Sequence, residues 1–253
     1  MNNIEKLDAL IEKGYEIARR NPTKLALEFK QSYYAEVDKI KHDRDNSDVK
    51  KAYLIEELQG KYGKELFKVL AEMKAEYKKT AAEAQKLAQS IHATDLEKPE
   101  DSVELKLFES ALADLKAATM LGANAKRSIE AIDAFIGKYG DNPYYAQQVK
   151  EQFPALASNV LGIEGTLQNR HALSKVLERI EAKATTPERE KATETLQFFG
   201  DGDVKFYLEG TAPYQSYSSI IGDKAAAYLN RPEEALAQIE AAITTHSIKP
   251  INA

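Results

Sequence analysis

The chain has 253 residues and a formal net charge of −5, and 43% of its residues are hydrophobic and 30% charged. This balance excludes wholesale disorder, because enough apolar surface is present to bury a sizeable core. The chain contains no cysteine, which excludes disulfides, thiolate nucleophiles and cysteine-based zinc sites and is typical of a reducing compartment. We therefore expect a cytoplasmic protein.

Charged residues are spread along the whole sequence, and their distribution argues against two classes of partner. Glu5, Lys6 and Asp8 interrupt any apolar region of a signal peptide near the N-terminus. No stretch of the sequence approaches the roughly 18 apolar residues that span a bilayer. Neither half carries the one-sided basic charge of a strong nucleic-acid binder. We expect neither membrane insertion nor strong nucleic-acid binding.

The periodicity of the sequence predicts an all-α fold. Nearly every segment is rich in Ala, Leu, Glu and Lys, with apolar residues three or four positions apart. Helix starts are indicated at Asn21, Asn142 and Thr186, where a capping side chain precedes a proline, and at Asp101. The predicted helices cover residues 3–20, 23–44, 48–92, 102–121, 125–139, 143–152, 166–184, 187–199, 215–229 and 232–246.

A charged break at residues 95–101, which includes Pro99, predicts the boundary between two parts. Residues 1–94 are expected to form an elongated helical hairpin or stalk. Residues 102–253 are expected to form a compact helical domain, either a bundle or repeat-like helix pairs. The chain would then consist of an N-terminal hairpin followed by an independent C-terminal domain.

The long third helix carries an apolar stripe that keeps its phase through Gly60 and Gly63. The stripe comprises Ile55, Leu58, Tyr62, Leu66, Val69, Met73, Tyr77, Thr80, Ala84, Leu87 and Ile91. Its period is near 11 residues, which predicts a straight or slightly right-handed packing seam. Two interpretations remain open. Either the second helix covers the stripe in an intramolecular hairpin, or another chain does so in a stalk.

Signatures of common catalytic and cofactor sites are missing from the sequence. It contains no phosphate-binding glycine loop, no nucleophile elbow and no His-Glu-x-x-His motif. The histidines His42, His92, His171 and His246 are far apart, and each is expected at a helix end or on the surface. The acidic run 43–48 lacks the glycine and the later glutamate of a calcium loop. We predict no catalytic residue, cofactor or metal.

Residues 198–219 are unusually rich in aromatic side chains. Phe206, Tyr207, Tyr214 and Tyr217 are interleaved with small and polar residues. Tyrosine combines a large apolar area with a polar tip, so an exposed cluster would bind a protein partner. The alternative is that these aromatics close the end of the helical core. The four residues are therefore the candidate partner-binding residues.

Two resemblances to known families add to this interpretation. Ala131, Phe135 and Pro143 look like the second helix and closing proline of a tetratricopeptide repeat, and Ala235 and Ile239 resemble the same helix again. This resemblance implies stacked helical pairs in the C-terminal half. The matching positions of the preceding helices are missing, and no 34-residue period links the two stretches.

The N-terminal third resembles helical accessory proteins from the morphogenesis modules of tailed phages of Gram-positive hosts. The likeness covers residues 1–92, with the segment 34–40 followed by the Glu/Lys/Ala-rich segment 53–86. It implies a role in building the virion or in acting on host machinery, within the host cytoplasm or the virion. The resemblance implies no catalytic residues in this chain.

The leading hypothesis is a non-enzymatic helical interaction or assembly protein, whose partners are other proteins, further copies of itself or virion components. One alternative is an inhibitor or adaptor that binds a host or defence protein. Another is an enzyme or small-ligand-binding protein with a pocket among the C-terminal helices, because acid–base sites built from Asp, Glu and Tyr leave no local motif.

Overall fold

The structure is a computed structural model that describes the backbone of residues 2–247 and the side chains of residues 2–242. Helices account for 82% of the described residues, which contain no β-strand. The all-α prediction is confirmed. No helix in the described part is both long and apolar enough to cross a membrane.

Eleven α-helices and one π-helical turn follow one another among the described residues. The π-helical turn covers Glu16–Arg20. The α-helices are α1 (Asn3–Tyr15), α2 (Asn21–His42), α3 (Asp48–Ala93), α4 (Ser102–Met120), α5 (Ala125–Tyr139), α6 (Pro143–Ile163), α7 (Leu167–Ala184), α8 (Pro187–Phe199), α9 (Ala212–Ile221), α10 (Asp223–Ala226) and α11 (Pro232–Ser247).

The predicted break at Asn21 is wrong, because the π-helical turn joins α1 to α2 without interruption. The backbone N–H of Asn21 donates to the carbonyl of Glu16, five residues earlier. Pro22 has no N–H to donate, and its ring would clash with the carbonyl of Ala18 in a regular α-helix. The wider turn relieves that clash. The hydroxyl of Thr23 donates to the carbonyl of Arg19 at 3.0 Å.

Other predicted helix starts are confirmed by their capping hydrogen bonds. The Asp101 carboxylate accepts from the backbone N–H groups of Val103 and Glu104. Asn142 caps α6 with Pro143 in its first turn, and the hydroxyl of Thr186 accepts from the N–H of Arg189 at 3.3 Å. These caps satisfy N–H groups that lack a partner within the helix.

Helix α3 is continuous over 46 residues, as its uninterrupted stripe predicted. At 1.5 Å per residue it is about 69 Å long. Most of the stripe is buried: Leu58, Leu66, Tyr77, Thr80, Ala84 and Ile91 are each less than 9% exposed. Leu58, Leu66, Tyr77 and Ala84 share one core with α2 and with residues after 194 of the same chain.

The structure divides the chain differently from the predicted domains. One unit contains residues up to 88 together with residues from 194 onward, and the other contains residues 89–193. The reason is the length of α3: the 22 residues of α2 are too few to cover it. Residues after 194 cover the rest, and Phe199, Tyr207, Tyr217 and Leu229 share one core with the N-terminal helices.

The second unit is built around α6, which contacts α4, α5 and α7. Its core includes Phe108, Ile132, Tyr145, Leu156 and Ile180. Helix α6 continues to Ile163 and thus beyond its predicted end at residue 152, although Pro154 lies inside it. The buried residues Phe153, Leu156 and Val160 hold this continuation against the core. Residues 94–101 form a non-helical connection to α4.

Candidate functional site

The four predicted partner-binding residues belong to the first unit, and most of them lie in its core. Tyr217 is fully buried, Tyr207 is 3% exposed and Phe206 is 7% exposed, whereas Tyr214 is half-buried. Three of the four therefore do not form an exposed patch. They match the alternative interpretation, in which these aromatics close the helical core, because the segment that carries them packs onto α2 and α3.

Two of these tyrosines form a hydrogen bond between their hydroxyl groups inside the core. The hydroxyl of Tyr207 donates to the carbonyl of Pro22 at 3.1 Å and lies 3.1 Å from the hydroxyl of Tyr217. Burial raises the pKa of Tyr207 to about 12 and raises that of Tyr217 above its ordinary value as well. Both residues stay neutral at physiological pH and tie α9 and the preceding loop to the start of α2.

A buried lysine fixes the same loop to α3. Lys74 is only 6% exposed, and its Nζ contacts Asp203 Oδ1 at 3.1 Å and donates to the carbonyl of Asn230 at 2.8 Å. The Asn230 side chain bonds both the N–H and the carbonyl of Tyr207. Burial opposes ionisation of Asp203, but the hydrogen bond and charge of Lys74 hold the pKa of that carboxyl below its usual value. This cluster stabilises the loop.

An open groove lies between α2 and α3. Its volume is about 350 Å³. Its lining is contributed by these two helices: Leu25, Phe29, Tyr62, Leu66 and Val69 are apolar or aromatic, and Glu28, Ser32, Glu36, Lys61 and Glu65 are polar or charged. Leu66 is 2% exposed, whereas Val69 is 37% exposed. The groove therefore has a buried apolar floor and an accessible apolar edge.

Local sequence explains why the two helices leave this space. On α2, Leu25, Phe29, Ser32 and Glu36 follow one another at helical spacing and lie on one face. The rings of Phe29 and Tyr62 meet edge to face with centroids 5.4 Å apart, and both rings line the groove. The small side chain of Ser32 does not fill it.

The polar rim has a fixed hydrogen-bond donor and several carboxylates. The hydroxyl of Tyr62 donates to Glu36 Oε1 at 2.8 Å. Burial, together with this bond and the charge of Glu36, raises the pKa of Tyr62 to about 12. Glu28 and Glu65 form exposed pairs with Lys24 and Lys68, at 3.7 and 2.9 Å. Exposed pairs are weak, so both carboxylates remain available to a partner.

The predicted aromatic residues lie behind the groove and not in it. Phe29 connects the groove to these aromatic residues. Its ring centroid lies 5.4 Å from that of Tyr62 on one side and 5.1 Å from that of Tyr217 on the other. The ring centroids of Tyr217 and Tyr207 are in turn 5.0 Å apart. The aromatic-rich segment therefore supports the floor of the groove.

The intramolecular interpretation of the α3 stripe predicts a covered seam at this place, because Leu66 and Val69 both belong to the stripe. One signal was available: Ser32 is a small polar residue on the face that otherwise carries Leu25 and Phe29. Such a position weakens helix–helix contact.

The histidines and acidic side chains do not form a metal site in the part of the chain that the structure describes. Within the described residues, no group of three or more His, Asp or Glu side chains is arranged to hold a metal ion. His42 and His92 are exposed near helix C-termini, and His171 is exposed on α7. The Nδ1 of His42 lies 2.8 Å from the carbonyl of Asp38. The side chain of His246 lies outside the described residues.

Comparison of the chain with known protein families, with curated proteins and with solved structures finds no match.

Proposed function

We propose that this chain is a non-enzymatic interaction or assembly protein that binds a segment of a partner protein in the groove between α2 and α3. The observation that carries the proposal is the apolar groove itself, with Leu66 at its floor and the partly exposed Val69 at its edge. Apolar surface in a concave site gains free energy when a partner covers it. A volume of about 350 Å³ suits one or two large side chains.

The rim indicates the chemistry of the partner segment. Three carboxylates, Glu28, Glu36 and Glu65, and one cation, Lys61, line the groove. A partner that inserts a large apolar side chain and carries Lys or Arg beside it would satisfy both the floor and the rim. The preferred ligand is therefore a peptide segment with one apolar anchor flanked by basic residues.

The resemblance of residues 1–92 to phage morphogenesis proteins supports one biological setting for this binding. In that setting the partner is a component of the virion during its assembly.

Selection of peptides from a random library on the immobilised full chain tests the proposal. We expect the selected peptides to share an aromatic or large aliphatic residue next to Lys or Arg. Ser32→Trp fills the groove, and Val69→Lys places a cation at its edge that repels the basic residues of the peptide, so each variant should weaken binding at least about tenfold. Fluorescence titration of a selected peptide measures this loss.

Leu27→Lys is the matched control, because Leu27 is 59% exposed on α2 and does not line the groove. This variant should bind the selected peptide as the unchanged chain does. Thermal melts of each variant exclude loss of fold as the cause. Selected peptides that bind the Ser32→Trp and Val69→Lys variants with unchanged affinity would show that the groove is not the binding site.

A further inference from the structure

Helix α4 of the second unit carries two stripes on opposite faces. One stripe, which includes Phe108, Leu112 and Leu115, is buried in the core of the unit. The other comprises Val103, Leu107, Ser110, Asp114, Ala117 and Leu121, all of them exposed. Val103, Leu107 and Leu121 are 65%, 61% and 81% exposed. Leu121, the C-cap residue, retains a helical conformation.

The exposed stripe has the spacing of a seam between two helices. Its six residues are separated by four, three, four, three and four positions, which is the heptad alternation of a coiled coil. An outward face of a surface helix ordinarily carries charged residues, whereas this stripe contains one charge, Asp114, at its centre.

We propose that the partner is α4 of a second copy of the chain, packed antiparallel about a two-fold axis at the level of residue 112. In this register Val103 faces Leu121 of the other copy, and Leu107 faces Ala117. The large Leu107 thus meets the small Ala117 on each side of the axis, which allows the side chains to interdigitate. Such a contact is isologous and closes as a dimer.

The central polar pair supports the antiparallel arrangement. Ser110 faces Asp114 of the other copy, so its hydroxyl can donate to the carboxylate on both sides of the axis. A parallel pairing would instead place Asp114 against Asp114 and Leu107 against Leu107. Two carboxylates at one level repel each other. The polar residues therefore favour the antiparallel pairing over the parallel one.

The positions that flank the seam agree with this pairing. In the antiparallel register Glu104 faces Ala118 and Lys106 faces Met120, so no like charges meet. Ala111 and Ala113 each face their own counterparts near the axis. Alanine at these positions lets the two helices approach closely. The interface is small, so we expect association in the micromolar to millimolar range.

Sedimentation equilibrium of the full chain over that concentration range tests the dimer. The mass should rise from one chain to two, and Leu107→Glu should weaken the association at least about hundredfold, because each dimer loses two leucine contacts and gains two buried carboxylates. Val49→Glu, at an 82% exposed valine on α3, is the control and should leave the association unchanged. A chain that stays monomeric throughout overturns the proposal.

Cysteine cross-linking tests the direction of the pairing, and the chain has no native cysteine to interfere. A short bismaleimide should join two copies of the Ala113→Cys variant, because residue 113 lies beside the axis. It should not join copies of Leu121→Cys, whose two thiols would be about 27 Å apart along the helices. Cross-linking of both variants would show parallel pairing, and cross-linking of neither would exclude the α4 contact; either result overturns the proposal.

Discussion

Gly14 on α1 and Gly60 on α3 are both helical glycines, but their surroundings differ. A Cβ atom at Gly14 would lie 2.6 Å from the ring of Phe199, whereas a Cβ at Gly60 would meet nothing within 4 Å. Gly14→Ala should therefore lower the free energy of unfolding by about 1 to 3 kcal/mol through overpacking. Gly60→Ala should raise it by about 0.5 to 1 kcal/mol. Urea unfolding measures both, and equal effects would contradict the packing at Gly14.

The buried tyrosines predict a loss of stability at alkaline pH. Tyrosine ionises near pH 10 in the unfolded chain, whereas the pKa of Tyr207 is about 12 in the fold and that of Tyr217 is also raised. Between pH 10 and 12 the unfolded state therefore releases protons that the folded state keeps. The free energy of unfolding should fall there by roughly 1.4 kcal/mol per pH unit for each such tyrosine, and it should be insensitive to these groups below pH 10.

Urea unfolding at a series of pH values checks this dependence. Tyr217→Phe removes one ionisable group, so its free energy of unfolding should fall less steeply between pH 10 and 12. Tyr34→Phe is the control, because Tyr34 is 41% exposed and should leave the slope unchanged. Equal slopes for the unchanged chain and both variants would contradict the role of burial.

At the scale of the element, the stripe of α3 is a core seam and its loss should be costly. Leu66 is 2% exposed and lies at the centre of that stripe. Leu66→Ala should lower the free energy of unfolding by about 2 to 5 kcal/mol, through lost burial and the cavity left behind. The loss should not depend on protein concentration, because the covering residues belong to the same chain.

Denaturant melts at two protein concentrations measure this effect. Leu27→Ala on the exposed face of α2 is the matched control and should change the free energy of unfolding by less than about 0.5 kcal/mol. An equally small effect of Leu66→Ala would mean that the stripe is not buried in solution.

The two Asn-Pro pairs show how the same local signal leads to different elements. Asn142 caps α6 as predicted, because Gly140 ends the preceding helix. Asn21 caps nothing, because Ile17 and Ala18 before it are buried and hold the chain in a helical path. The π-helical turn then accommodates Pro22. A capping motif therefore predicts a boundary only where the residues before it are free to leave the helix.

At the scale of the whole molecule, the division of the chain predicts which fragments fold. Residues 89–193 form a unit with its own core, so this fragment should keep its helix content and unfold cooperatively. Residues 1–94 should not, because Tyr77 and Ala81 would lose Phe199 and the turn at Gly202 that pack against them. Circular dichroism and thermal melts of the two fragments check this. A stable, cooperative 1–94 fragment would contradict the shared core.

The sequence by itself determined the all-α class, the continuity of α3 and most helix starts. These features depend on local periodicity and capping, which neighbouring residues encode. It also identified the stripe residues that line the groove.

Only the tertiary structure decided which parts of the chain share a core and where a ligand can enter. Pairing of residues 194 onward with α3 is a long-range contact, and an apolar helix face does not specify which distant helix covers it. The burial of Tyr207 and Tyr217 follows from that pairing, because the same aromatic side chains suit an exposed patch or a core. The groove, which Ser32 lines with a small side chain, exists only when α2 and α3 are packed together, because both helices contribute its lining.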